Sequence, residues 1–80
     1  MVATAYVLIS VETRMARKVY DALARIPGIQ HLDVVSGPYD IIAVIQGSDF
    51  IHIGRLILDK VHHIEGVSDT VTCAVIPIEQ

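Results

Sequence analysis

The amino-acid sequence predicts a single α+β domain of the ferredoxin-like class, with a four-stranded antiparallel sheet and two helices in the order βαββαβ. Three observations support this class. Strand-like and helix-like segments alternate, the two halves of the chain repeat each other, and 80 residues leave room for one core only. We therefore expect residues 1–80 to form one domain. The sheet also predicts an assembly, because its strands are apolar on both faces.

The four strands are predicted from segments that are dense in β-branched and other apolar residues. They span residues 3–11, 29–36, 41–46 and 67–78. Pro77 breaks the last ladder, because proline has no N–H to donate to a neighbouring strand. A turn at residues 37–40, with the sequence Gly-Pro-Tyr-Asp, joins the second strand to the third as a hairpin.

The two helices are predicted from apolar residues that recur every three or four positions. The first helix spans residues 13–25, and the second fills the segment between the third and fourth strands. Their apolar stripes are Met15, Val19, Leu23 and Ile26 in the first helix, and Phe50, Ile53, Ile57, Val61 and Ile64 in the second.

The ends of both helices carry capping and stop signals. Thr13 is the expected N-cap of the first helix, and Ser48 or Asp49 that of the second, because their side-chain oxygens can accept a backbone amide hydrogen. Gly28, preceded by proline, and Gly66 stand where the two helices stop.

The two halves of the chain match at an offset of 38 residues. At this offset the positions of the helical stripes coincide: Met15, Val19, Leu23 and Ile26 fall on Ile53, Ile57, Val61 and Ile64. Gly28 falls on Gly66, so the helix stop repeats as well. Two βαβ halves with matching core positions form the split-βαβ arrangement of ferredoxin-like domains. Convergent patterning of two unrelated halves is the alternative.

The predicted strands lack a polar face. An antiparallel sheet with one face in water alternates apolar and polar residues, whereas the third strand is apolar at every position from Ile41 to Ile45. Apolar runs also occur at residues 6–9 of the first strand and 73–76 of the last. The two helices can cover only one face. We therefore expect a homodimer that buries the other face, because symmetric dimers are the commonest oligomers.

Composition and charge limit the classes of molecule that we expect the protein to bind. The net charge of −3 and the pI of about 5.7 disfavour direct nucleic-acid binding, which depends on clustered Lys and Arg. The sequence has no apolar run long enough for a membrane span and no signal-peptide pattern. The single cysteine, Cys73, excludes an intramolecular disulfide and makes the reducing cytoplasm the expected compartment.

Signatures of catalysis and metal binding are absent from the sequence. It contains neither a G-x-S-x-G nucleophile motif nor a G-x-G-x-x-G phosphate loop. His62 and His63 are adjacent on the second helix and would point about 100° apart, so they do not form a metal-binding face. We expect no catalytic residue, no metal and no cofactor.

The hairpin between the second and third strands is the candidate binding site. Gly37 permits a positive φ, and Asp40 places a carboxylate directly before an apolar strand. Asp40 either bonds the backbone amides of the turn or anchors the amino group of a small zwitterion, whose carboxylate would lie on the turn amides. Thr70 and Thr72 share one face of the last strand. They either add hydroxyls to this site or are ordinary strand residues.

The sequence around this hairpin resembles a known family. Residues 26–45 (IPGIQHLDVVSGPYDIIAVI) resemble the C-terminal half of Lrp/AsnC, or feast/famine, transcriptional regulators, with their pattern P-x-V-x-x-x-x-x-V-x-G-x-Y-D followed by an apolar strand. Residues 64–72 (IEGVSDTVT) resemble that family's p-G-V-x-x-T-x-T ending. Essentially the whole chain is similar to this part of the family, the RAM (regulation of amino acid metabolism) domain.

The resemblance implies dimers that form through facing sheets and assemble further into rings, commonly octamers. It also implies a small amino-acid effector bound between dimers, near Gly37, Tyr39 and Asp40 and near Thr70 and Thr72. Full-length members begin with a helix-turn-helix domain, whereas this chain starts almost at once with the first strand. We therefore expect a stand-alone RAM domain without its own DNA-binding element, which modulates transcription through assembly and co-assembles with full-length regulators.

Two other functions remain open at this point. One is a purely structural oligomerisation module, in which the polar hairpin only makes hydrogen bonds at an interface. The other is a small dimeric α+β barrel enzyme. Such an enzyme needs a polar group between sheet and helices, whereas both helical stripes are apolar.

Overall fold

The computed structural model describes residues 2–78 and confirms the predicted ferredoxin-like fold. The elements in chain order are β1 (Ala3–Val11), α1 (Ala16–Leu23), β2 (Ile29–Val34), β3 (Ile41–Gly47), α2 (Phe50–Leu56) and β4 (Val67–Ala74). A π-helical turn, Ile57–Val61, continues α2 directly. All strand pairs are antiparallel, in the order β2-β3-β1-β4. Residues 1, 79 and 80 of the predicted domain lie outside the described residues.

The core lies between the helices and one face of the sheet. Alternate residues of the two central strands, β1 and β3, point into it, together with one stripe of each helix. Its buried members are Ala5, Val7, Ile9, Val19, Leu23, Ile41, Ala43, Ile45, Ile53, Ile57 and Val61. Among residues 2–78, no polar or charged side chain is buried with them. Five of the nine residues in the helical stripes expected from the sequence therefore lie in the core, and Met15, Ile26 and Ile64 are partly buried against it.

The internal repeat is visible in the backbone as well as in the side chains. Gly28, before β2, has a φ of +99°, and Gly66, before β4, has a φ of +102°. The preceding turns also match, since the amides of Ile26 and Ile64 bond the carbonyls of Leu23 and Val61 at 3.0 and 3.1 Å. A positive φ favours glycine strongly, which explains why both halves keep it at this position.

The first helix begins later than predicted, and Thr13 is not its N-cap. The helix starts at Ala16, with Met15 in the N-cap position and no side-chain cap. Residues 12–15 form a turn instead, closed by the Met15 amide and the Glu12 carbonyl at 3.0 Å, with Arg14 at a φ of +67°. A left-handed residue cannot continue a right-handed helix, so α1 can begin only after Arg14.

The second helix begins as expected, with Asp49 as its N-cap. Its Oδ1 accepts the His52 amide at 2.9 Å. Further along, the π turn closes between the His62 amide and the Ile57 carbonyl at 2.9 Å. In an α-helix, two residues four positions apart differ in direction by about 40° around the helix axis. The wider π turn compensates for this rotation, so Val61 stays in the core with Ile57.

One predicted member of the second stripe lies outside the core. Phe50, the first residue of α2, is 48% exposed. It lines a shallow cavity with the start of β1 and the segment after β4. A helical period alone does not show where the sheet beneath the helix ends.

Two strands are shorter than predicted. β2 ends at Val34 rather than at residue 36, where the chain enters the hairpin. β4 ends at Ala74, and its last bond to β1 runs from the Val75 amide to the Thr4 carbonyl at 2.9 Å. The predicted extension to residue 78 is wrong, because the register places residue 76 opposite Ala3, the first residue of β1, and the residues beyond it have no partner strand.

Candidate ligand-binding and assembly site

The face of the sheet that points away from the helices is apolar and open. The alternation that buries Val7 and Ile9 turns Tyr6 and Leu8 of β1 to this side. The registers place neighbours from β3 and β4 beside them, and the resulting open face consists of Tyr6, Leu8, Ile42, Val44, Val71 and Cys73. Tyr6 remains 48% exposed and Val71 38%.

Polar residues surround this open face. Gln46 donates to the Thr4 hydroxyl at 3.5 Å at one end of the sheet. His31 and Asp33 approach each other at 3.1 Å on the edge strand β2. Ser10, paired with Asp69 of β4, lies at the opposite end. A contiguous apolar patch with a polar rim is typical of a protein–protein interaction site.

The hairpin at residues 36–40 connects β2 to β3 at the Ser10 end of the sheet. Gly37 is exposed, has a φ of +143° and leaves open space where a side chain would stand. Tyr39 and Asp40 are half-buried. The hairpin is closed by the Val35 amide, which donates to the Asp40 carbonyl at 2.9 Å.

Asp40 is bonded to the end of the central strand β1. Its amide donates to the Ile9 carbonyl at 3.0 Å. Its carboxylate oxygen Oδ2 accepts the Val11 amide at 2.9 Å. The carboxylate therefore bonds a backbone amide, as one of the two sequence interpretations proposed, although this amide belongs to β1 and not to the turn itself.

Thr70 and Thr72 lie on one face of β4, as their spacing predicts. They pair with Ile9 and Val7 of β1, whose side chains are buried on the helix side. The Thr70 hydroxyl lies 2.8 Å from Nε2 of His62, at the end of the π turn. Thr72 is exposed.

The five candidate residues form two groups within one chain. Ile41, next to Asp40, and Thr70 both flank Ile9, so the two groups lie at the same end of the sheet, on either side of β1. The threonines, however, face the helix layer, and the Asp40 carboxylate is bonded to the main chain of β1. A pocket that combines both groups would therefore need surface from a second chain.

His62 is a polar residue beside this site that sequence reasoning missed. With Val67, Ser68, Asp69 and Thr70 it lines a shallow, open cavity of about 280 Å³. Helical periodicity placed His62 on the surface but could not show which strand residue it meets. The contact depends on the chain's return from the π turn into β4.

Two surface carboxylates have lowered pKa values. The pKa of Asp49 is lowered mainly by the hydrogen bond from the His52 backbone amide and also by the His52 ring. The pKa of Glu65 is lowered by the hydrogen bond and charge of Lys18, whose Nζ lies 2.8 Å away. This second pair connects α1 to the turn before β4.

Metal binding and membrane crossing find no support in the described part of the chain. Within residues 2–78, no three His, Cys, Asp or Glu side chains are grouped so that they could hold a metal ion. Over the same residues, no helix has the length and apolar character needed to cross a membrane.

The structure is that of a ferredoxin-like domain with an open apolar sheet face and an exposed hairpin at one end of the sheet. Residues 4–78 match the family model of the Lrp/AsnC ligand binding domain. The chain belongs to this family, which confirms the resemblance seen in the sequence. The family is regulatory, and this points away from the enzymatic alternative.

Known relatives support this assignment. An uncharacterized HTH-type transcriptional regulator of Pyrococcus horikoshii is 36% identical over 72 residues, which cover 86% of this chain and 48% of the relative. The chain thus spans about half the length of that curated relative. TTHA0845 from Thermus thermophilus has a TM-score of 0.90 at 26% identity, over 98% of both chains.

A third comparison concerns a protein solved with a ligand. The transcriptional regulator NMB0573 from Neisseria meningitidis, in complex with L-Met, has a TM-score of 0.84 at 18% identity. The match covers 94% of this chain and 50% of that protein. At this identity the likeness shows a shared fold.

Proposed function

We propose that this domain binds a small amino acid or a related effector at interfaces between dimers, and that binding changes its assembly and so modulates transcription. The dimer forms through the open sheet face, and dimers associate into rings, commonly octamers in the family. The domain works in the cytoplasm, where it co-assembles with full-length Lrp/AsnC regulators. Residues 1–80 act as one ligand-binding and oligomerisation unit.

The open sheet face is the observation that carries this proposal. Six neighbouring side chains on three strands are apolar or weakly polar, and the helices pack on the other side of the sheet. Burial of apolar surface contributes about 25 cal/mol per Å², so two such faces gain free energy when they meet. A domain of this size buries a smaller share of its unfolded surface than a larger domain does and benefits from this association.

The binding site is proposed at the end of the sheet where the hairpin lies. Gly37, Tyr39 and Asp40 form one side of it, and Thr70 and Thr72 of a neighbouring chain form the other. Exposed backbone at Gly37 can approach a ligand carboxylate closely. The L-Met complex of the structurally similar regulator NMB0573 supports an amino acid as the ligand class.

Light scattering and sedimentation of the purified protein test this proposal, with each of the twenty amino acids added in turn. We expect a dimer or larger particle without ligand, and at least one amino acid that shifts the size distribution and raises the melting temperature. A stable 8.8 kDa particle at micromolar concentration would contradict the assembly. A panel without any shift in size or melting temperature would contradict ligand binding.

A purely structural oligomerisation module is the second candidate. The observation that favours it is that Asp40 and Thr70 already have hydrogen-bond partners within the chain, Val11 and His62. In this case the assembly is present but does not respond to any amino acid. The same panel therefore distinguishes the two candidates.

A further inference from the structure

Asp40 takes part in three hydrogen bonds that join different parts of the sheet. Its amide bonds the Ile9 carbonyl of β1, its carbonyl accepts the Val35 amide across the hairpin, and its Oδ2 accepts the Val11 amide. The two backbone bonds do not depend on the side chain. The third bond depends on the side chain, which accepts the Val11 amide where a backbone carbonyl would be the usual acceptor.

The geometry of β1 explains why the Val11 amide has a side-chain acceptor. Consecutive amides of a strand point to opposite sides. The Glu12 amide points towards β4 and bonds the Gly66 carbonyl at 2.8 Å, so the Val11 amide points towards the hairpin. The β1–β3 ladder ends at the pair Ile9↔Ile41, because the chain forms the hairpin just before Ile41. No residue of β3 therefore lies opposite Val11. The Asp40 carboxylate supplies the acceptor that a continuing strand would have supplied.

This bond connects the hairpin to the part of β1 that changes direction. The register of β1 with β4 shifts between Ser10 and Val11. Directly after Val11 the chain enters the turn that contains Arg14 and leads into α1. Irregular backbone of this kind persists only where surrounding contacts fix it.

From these contacts we infer that Asp40 is a positioning residue. It holds the hairpin against the end of β1 through its acceptor oxygen rather than through its charge. Gly37 and Tyr39 are thereby fixed relative to Leu8, which lies on the open face of the same strand. This inference rests on the proposed function only where ligand binding is concerned.

Two substitutions separate the acceptor from the charge. Asp40→Asn keeps a side-chain oxygen in the same place and removes the charge, whereas Asp40→Ala removes both. Asp69→Asn is the matched control, because it removes an exposed carboxylate at the same end of the sheet. Residue-resolved hydrogen exchange of the Val11 amide is measured in each variant and in the original protein.

We expect the Val11 amide to exchange within about 3-fold of the original rate in Asp40→Asn and Asp69→Asn, and about 10-fold faster or more in Asp40→Ala. Equal acceleration in the Asn and Ala variants at residue 40 would assign the effect to charge and overturn the inference. Unchanged exchange in Asp40→Ala would overturn it as well.

The outcome does not depend on the Ala variant alone. If Asp40→Ala does not fold, the original protein and Asp40→Asn still decide the question. A protected Val11 amide in both supports the inference, and an unprotected amide in either one contradicts it.

Calorimetric titration with L-methionine as the probe tests the ligand part. If the original protein binds it, we expect Asp40→Ala to weaken the affinity at least about 10-fold more than Asp40→Asn does, because only the alanine variant removes the acceptor oxygen. A loss in Asp40→Asn as large as in Asp40→Ala means that the charge contacts the ligand, which overturns the inference. If no amino acid binds the original protein, the proposed function fails, while hydrogen exchange still decides the role of Asp40.

Discussion

The two faces of the sheet are built from the same kinds of residue but have opposite surroundings. Val7 and Ile9 of β1 are fully buried under the helices, whereas Tyr6, between two buried positions of the same strand, is 48% exposed. The comparison teaches that the chain completes one of the two interfaces for which its sequence is built. We propose that another chain completes the second interface.

The largest expected effect comes from a charge in the middle of the open face. Val71→Asp places a carboxylate where two sheets would meet, and burying an unpaired charge costs several kcal/mol. We expect it to dissociate the assembly to particles of 8.8 kDa, measured by sedimentation at micromolar concentration. Leu58→Asp, at a 60% exposed position of the π turn, is the control and keeps the dimer.

A thiol probe sharpens the comparison without changing the sequence. Cys73 lies on the open face and is exposed in the single chain. In a sheet-to-sheet dimer the same thiol is covered, so we expect labelling with an alkylating reagent to be slow and to accelerate about 10-fold or more in Val71→Asp, because reaction then requires no prior opening of the interface. Equal rates in both proteins, followed by mass spectrometry, would show that this face remains open.

A smaller effect is expected on the covered face, at the glycine before β4. A Cβ at Gly66 would lie 2.9 Å from the Met15 Cβ and 3.0 Å from the Val19 Cγ2, at a φ of +102°. We expect Gly66→Ala to lower the free energy of unfolding by about 1–3 kcal/mol.

Gly54→Ala is the matched control for this substitution. Gly54 lies within α2, and a Cβ there would meet no atom within 4 Å. Because alanine is the better helix former, we expect a gain of about 0.5–1 kcal/mol. Urea unfolding of both variants at one protein concentration measures the difference, and a loss at position 54 would contradict the packing described.

The smallest expected effect concerns the Lys18–Glu65 pair, which holds α1 to the turn before β4. A lowered pKa in the folded state means that the pair stabilises the fold at neutral pH and loses this contribution as the pH falls below about 4. The effect is small, because both side chains are exposed. NMR titration of Glu65 should show its pKa rising towards the ordinary value in Lys18→Met but not in Arg17→Met.

Much of the fold could be predicted because its signals are local or periodic. The strand and helix patterns, the 38-residue offset and an N-cap at Ser48 or Asp49 are all readable from neighbouring residues, and the structure selects Asp49. The prediction of Thr13 as an N-cap was wrong. Threonine is a suitable N-cap residue, but Arg14 adopts a left-handed backbone conformation and so delays the start of the helix. No capping rule predicts a positive φ at an arginine.

The candidate site was predictable in its location but not in its contacts. The hairpin stood out through Gly37 and Asp40, and the structure bonds Asp40 to the end of β1 and leaves Gly37 exposed. The bond between Asp40 and Val11 joins residues 29 positions apart. The contact between His62 and Thr70 depends in the same way on how an irregular turn leads into a strand. Hydrogen-bond partners of this kind are determined by how the chain packs, and no periodic pattern in the sequence predicts them.

The sequence by itself determined the class of fold and the repeat, because hydrophobic period is a property of residue order alone. The partner for the second sheet face stays a prediction from the apolar excess of the strands. Only the tertiary structure decided which face is left open, where the strands end and what the Asp40 carboxylate binds. Those outcomes depend on distances between residues far apart in the chain, and these are fixed only once the helices have packed on one side of the sheet.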